Sequence, residues 1–214
     1  MCLKKSFLFT LLCLTTTFAA AKSDIFTVKQ GDPLVLLQEK KTAIFEVDYS
    51  HLIVTDSKDH DNDMDFKSWM QTQDEDEDKW LIDWETKDKA DCDKAFREHF
   101  NDEVENGIKL TKLGKHYKVI LRLTLIDFGP AVKMKLTGIS GGEAKANGEL
   151  EVCDINTGET LLNLSFENLK GESSFKQIGR LKGIFENLGE ELSDYLKQYK
   201  KEYDKQQKKL RKKK

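Results

Sequence analysis

Seven apolar side chains near the C-terminal end limit the folds open to this chain. Ile178, Leu181, Phe185, Leu188, Leu192, Tyr195 and Tyr199 follow one another at steps of 3, 4, 3, 4, 3 and 4. An α-helix turns once every 3.6 residues, so this spacing lines them up as a narrow seam on one side. A helix with such a seam needs an apolar surface of comparable length, on a sheet or on another helix. Ser174 with Gln177 reads as a capping box, and the helix is expected over 174–199.

A second helix is expected over 88–107. Cys92, Phe96, Phe100 and Val104 recur every four residues and share a face. Asp88, Asp91 and Asp93 fall in its first turns, where the helix dipole favours negative charge, and Gly107 is a natural stop.

Several stretches alternate with period 2 and read as strands. Ala43, Phe45, Val47 and Tyr49 alternate with Ile44, Glu46 and Asp48. The short apolar run Leu34–Leu37 precedes them, with Glu39-Lys40-Lys41 as a polar hairpin connection. Tyr117, Val119, Leu121, Leu123 and Leu125 make one apolar face, Leu150 and Val152 a second, and Leu162, Leu164 and Phe166 a third. The last two are joined by a tight turn at Asp154–Glu159, with Gly158 at the position that needs positive φ. The expected fold is α+β: a two-layer arrangement in which a mainly antiparallel sheet of about five strands packs against two main helices. Residues 22–199 are expected to form a single domain.

Charge is divided unevenly. The whole chain carries a net −3, yet residues 56–105 hold 19 Asp/Glu against 7 Lys/Arg, a local −12. Residues 197–214 hold 10 Lys/Arg against 2 Asp/Glu, a local +8. Residues 55–79 show no apolar period and read as a solvated acidic excursion, with Trp80 and Trp84 marking the return to the core. Residues 200–214 read as a basic tail whose lysines are candidates for contact with an anionic surface. No aromatic residue interleaves the tail beyond Tyr203, so no nucleic-acid partner is expected.

Residues 1–21 have the layout of a secretory signal peptide: Lys4 and Lys5, an apolar run from Phe7 to Leu14, then Ala19-Ala20-Ala21. Cleavage is expected near Ala21, leaving a secreted or periplasmic chain that starts near Lys22. Cys13 follows Leu11-Leu12, too bulky for a lipidation site. No other apolar run has membrane length, so no transmembrane segment is expected. The mature chain keeps Cys92 and Cys153. The first lies on the buried stripe of a helix and the second on the polar face of a strand, so they read as two separate thiols.

The chemistry-bearing motifs are sparse. Asp59-x-Asp61-x-Asp63 resembles the start of a calcium loop, but the sixth and twelfth positions hold Met64 and Met70 rather than glycine and glutamate. Asp59, Asp61, Asp63 and Asp65 remain the candidate metal ligands, as a looser calcium site. His51, His60, His99 and His116 are scattered and form no zinc signature. Gly138-x-Ser140-x-Gly142 matches a nucleophile elbow in letters, without the strand-to-helix context that motif needs. Gly179 and Gly183 are four apart, a spacing that lets a helix sit close to a sheet. No catalytic residue and no cofactor is expected.

The run Tyr117–Gly129, the glycine-rich stretch after it, the segment Gly148–Gly171 and the closing helix resemble small secreted proteins of the Bacteroidetes type. Their core is similar to the α/β domain of curli-assembly envelope lipoproteins. The shared features are Asp127 in Ile126-Asp127-Phe128-Gly129 and the strand–turn–strand around Thr157-Gly158-Glu159. The resemblance implies a non-enzymatic role in binding or envelope assembly, with an unknown protein or envelope component as partner. The alternatives are a secreted enzyme with an unrecognised active site and a weak calcium-dependent binding module.

Overall fold

The computed structural model describes residues 25–55, 63–72, 77–104, 107–129, 143–172, 174 and 176–212. The strands are β1 (Phe26–Gly31), β2 (Thr42–Asp48), β3 (Ile53–Thr55), β4 (Met64–Asp65), β5 (Lys109–Thr111), β6 (Tyr117–Asp127), β7 (Lys145–Asp154) and β8 (Thr160–Lys170). The helices are α1 (Phe66–Gln71), α2 (Glu77–Asp83), α3 (Lys89–Glu103) and α4 (Gln177–Arg211), with a π-helical turn, Trp84–Asp88, between α2 and α3.

The expected sheet of about five mainly antiparallel strands with two main helices is overturned. The described residues form an eight-stranded mixed sheet in the order β1-β8-β7-β6-β2-β5, with β3 paired to both β6 and β4. The pairs β1–β8, β8–β7 and β7–β6 are antiparallel. β2 runs parallel to both β6 and β5, and β3 runs parallel to β6. The reason lies in the connection. Parallel neighbours need a long crossover, and the chain between β2 and β6 provides it as α1, α2 and α3. Period-2 alternation identifies a strand but carries no information about its partner.

Leu34–Leu37 is not a strand. Pro33–Leu37 forms a 3-10 helix, with Asp32 accepting from the Leu34 N–H at 2.9 Å, so Glu39-Lys40-Lys41 is not a hairpin turn. Inside the stretch read as an acidic excursion, α1 is folded and buries Phe66, Trp69 and Met70. Trp69 stacks on Phe128 with ring centroids 4.6 Å apart, which ties α1 to the end of β6. The turn at Asp154–Glu159 is as expected: the Asp154 carboxylate accepts from the Asn156 and Thr157 N–H groups, and Gly158 has φ +72°.

One sheet face is apolar and covered. Phe45, Val119, Leu121, Leu150, Val152, Leu162 and Leu164 are all buried. α3 reaches it through Phe96, stacked on Phe45 at 4.6 Å, and α4 through Tyr195, 5.3 Å from Phe26. The seam residues of α4 from Leu181 to Tyr199 are buried, as are Cys92, Phe96, Phe100 and Val104. Cys92 and Cys153 are both free thiols.

α4 runs beyond the expected end to Arg211. Its start differs too. Lys176 is the N-cap without a side-chain bond, and Ser174 Oγ accepts from the Lys176 N–H at 3.3 Å, so the capping box does not form. The buried Arg180 secures this end instead, donating from Nε to the Ser174 carbonyl at 2.8 Å and from Nη1 to the Phe128 carbonyl at 2.5 Å.

α3 and α4 approach closely at Gly189. A Cβ built there would lie 2.8 Å from the His99 Cβ and 3.0 Å from the Phe100 nitrogen. In an exposed helix, Gly→Ala gains about 1 kcal/mol. Here the new methyl meets backbone, which cannot move aside cheaply. Gly189→Ala is therefore expected to destabilise by about 1–3 kcal/mol in urea denaturation, the usual cost of overpacking. Phe100→Ala and Leu188→Ala, at fully buried positions, are each expected to cost about 2–5 kcal/mol. A stabilising Gly189→Ala would show that the two helices are not in close contact.

Candidate functional site

Three groups of polar side chains are candidates for function. The first covers the uncapped face of the sheet. Lys118 pairs with Glu46 at 2.8 Å, and Arg122 pairs with Glu151 at 2.6 Å and Asp48 at 3.7 Å. Thr160 donates to Glu151 at 2.7 Å. That hydroxyl and the Arg122 guanidinium hold the Glu151 carboxyl below its usual range. Burial pushes the neighbouring Cys153 thiol up, so it is a poor nucleophile. These groups satisfy one another across the strands, in the way that paired residues stabilise a sheet.

The second group lines a cleft of about 620 Å³ between the end of β2, α1 and the bend from α2 into α3. Tyr49 forms its centre. Its ring meets Trp84 edge-on at 5.1 Å and stacks on Phe66 at 5.8 Å, and Lys89 Nζ lies 5.7 Å from its centroid. The Tyr49 hydroxyl donates to Asp93 at 3.5 Å. Burial pushes both groups above their ordinary values, against the pull of Arg97 and Lys89 on Asp93. Two carboxylates on the cleft wall, Asp48 and Asp65, are engaged by serine donors. Asp48 accepts from the Ser50 hydroxyl at 2.6 Å and the Ser50 N–H at 2.9 Å. Asp65 accepts from the Ser68 hydroxyl at 2.5 Å and the Ser68 N–H at 2.9 Å, as the N-cap of α1. These bonds hold both below the usual carboxylate range. A general base needs a free lone pair facing its substrate and a pKa near the working pH. Asp48 and Asp65 are held below the usual carboxylate range, which moves them away from such a pKa.

The candidate calcium ligands divide accordingly. Asp65 caps a helix, Asp63 is exposed just before β4, and Asp59 and Asp61 lie outside the described residues. Among the described residues, no group of three or more His, Cys, Asp or Glu side chains is placed to hold a metal ion. His60, Ser140 and the 1–21 segment also lie outside the described residues. His116 has a structural role missed in the sequence: its Nδ1 accepts from the Thr42 N–H at 3.1 Å, anchoring the start of β2. The cleft was also missed. Tyr49 read only as a strand residue and Trp84 only as a core marker, because nothing in a sequence brings positions 49, 66 and 84 together.

The third group is on α4. Lys197, Lys200, Lys201, Lys205, Lys208, Lys209 and Lys212 form one continuous exposed surface with Asp204. Lys197 pairs with Glu103 at 3.3 Å and Asp194 at 3.2 Å, and Lys205 with Glu202 at 3.6 Å. Among the described residues, the other five have no carboxylate within ion-pair distance. The apolar seam ending at Tyr195 and Tyr199 runs along the opposite side of the helix. Among the described residues, no helix is long and apolar enough to cross a membrane.

No protein-family model matches the chain, and no curated protein matches it significantly. Two solved PelC dodecamers from Paraburkholderia phytofirmans show a distant likeness, at 10% and 9% identity. Each match covers 79% of this chain and 98% of the other, with a TM-score of 0.37. At that score the likeness carries nothing over to this chain.

Asp65 and Asp93 should respond oppositely to pH. Asp65 has a lowered folded pKa, so its charge stabilises the fold above the unfolded value of about 3.9, and this is lost as pH falls through the folded pKa. Asp93 has a raised folded pKa, so its ionisation costs stability as pH rises above about 3.9. Asp65→Asn is expected to lower Tm at neutral pH and Asp93→Asn to raise it. Both differences should shrink in acid, and melts of the same sign would contradict the assignment.

Proposed function

We propose that this protein works outside the cytoplasm as a non-enzymatic binding protein that meets an anionic partner through the lysine face of α4. The observation that carries this reading is the placement of seven lysines on one side of a helix whose earlier part, as far as Tyr199, is built into the core. A local excess of basic residues in a fraying tail would be only a solubilising end. Here α4 fixes the charges relative to the fold, so they act together as a field.

The layout is costly to the helix itself. Basic residues near a helix C-terminus offset the dipole, but that benefit is confined to the last turn. The lysine face begins at Lys197, about four turns earlier. Lys197 and Lys201, Lys201 and Lys205, Lys205 and Lys209, and Lys208 and Lys212 are like charges four apart. Each such pair costs an isolated helix about 0.2–0.5 kcal/mol. An anionic partner relieves that repulsion. The engagement of Asp48 and Asp65 by serine donors supports a binding role over a catalytic one. The signal-peptide layout of residues 1–21 supports an address outside the cytoplasm.

Deleting residues 204–214 removes seven basic residues and one acid while retaining Tyr199 and Tyr203. Exposed charges contribute little to folding, so Tm is expected to stay within about 5 °C of the full chain. Retention on a carboxylate or sulfonate support at low salt is expected to be lost. Unchanged retention would remove the anionic partner from the function.

A further inference from the structure

The lysines are distributed around α4 as well as along it. At about 100° per residue, Lys201 and Lys208 project within about 20° of each other and form the crest of the basic face. Lys200 and Lys209 are nine residues apart and project about 180° from each other, one on each flank. The face is about 22 Å long from Lys197 to Lys212 at about 1.5 Å per residue, and it curves around half of the helix.

That curvature discriminates between partners. A flat anionic surface touches the crest of a cylinder and leaves the flanks facing away. A flexible anionic chain can follow the curve and meet crest and flanks together. The face contains no apolar side chain to insert between lipids, as a membrane-surface helix would need. It also contains no aromatic ring on which bases could stack, as single-stranded nucleic acid would need. What remains is flexible ammonium groups spread along the face, with Asp204 as the carboxylate among them, which suit a linear polymer with one anionic group per repeat.

We infer that the basic face of α4 binds a linear anionic polysaccharide that wraps the helix and engages Lys200 and Lys209 as well as Lys201 and Lys208. This rests on the anionic-partner reading above and names the partner's chemistry. The contact is electrostatic, so it weakens with salt through counterion release.

The test uses the full mature chain and two double variants that remove equal charge. One carries Lys201→Gln and Lys208→Gln on the crest, the other Lys200→Gln and Lys209→Gln on the flanks. Glutamine matches lysine closely in helix propensity, and circular dichroism checks that α4 is intact. The probes are polygalacturonate, a linear chain with a carboxylate on every sugar, and vesicles of equal phosphatidylglycerol and phosphatidylcholine. Wild type is expected to bind polygalacturonate, with both double variants weakened about fivefold or more. Each should also lower the slope of log affinity against log salt by about 1–2. Flank variants that bind polygalacturonate like wild type, with only crest variants weakened, would overturn the wrapping geometry. Binding to vesicles but not to polygalacturonate would overturn the polysaccharide and leave the anionic partner standing. Binding to neither probe would overturn both.

Discussion

The structure depends on the burial of one side of α4. Its seam fills the space between the sheet and α3, and Gly189 lets the two helices approach until His99 and Phe100 lie against the α4 backbone. Close packing of this kind forfeits dispersion contacts quickly when surfaces separate. The sheet needs the same contact, because its apolar face, from Phe45 on β2 to Phe166 on β8, would otherwise face water. α3 is tied to both, to the sheet by Phe96 on Phe45 and to α4 by Phe100 near Gly189.

Arg180 works at the other end of the same helix. A fully buried guanidinium is expensive unless its donors are used. Here they meet the carbonyls of Phe128 and Ser174, so one side chain ties the end of β6 to the segment that leads into α4. The cost of burying the charge lowers the Arg180 pKa from its ordinary value. The arrangement fixes where α4 begins, and so fixes the direction in which its lysine half leaves the body.

α4 thus divides along its length into an apolar part and a basic part. Its apolar side is structural over most of its length, while its opposite side, from Lys197 onward, is given to charge. The sheet's polar face and the Tyr49 cleft follow a different logic. Several of their ionisable groups are already paired or capped, as with Arg122 between Asp48 and Glu151, or Asp65 on Ser68. Five lysines of the α4 face have no carboxylate within ion-pair distance among the described residues, which is why the functional reading concentrates there.

The sequence by itself determined the parts whose cause is local. The 3-and-4 spacing of the α4 seam, the four-residue repeat of Cys92, Phe96, Phe100 and Val104, and the alternation of β6, β7 and β8 each follow from one element's own period. The turn at Gly158 was legible because a single backbone conformation demands that residue. Only the tertiary structure decided what depends on partners. It paired β2 parallel to β6, turned Leu34–Leu37 into a 3-10 helix capped by Asp32, and folded Phe66 and Trp69 into the core from within an acidic stretch. It also assigned Asp65 to a helix cap, a use that no count of carboxylates reveals. The lysines of the C-terminal segment were visible as a number. Their arrangement as a face appeared only once the helix was seen to continue through them, because charge alone does not say whether a segment is ordered.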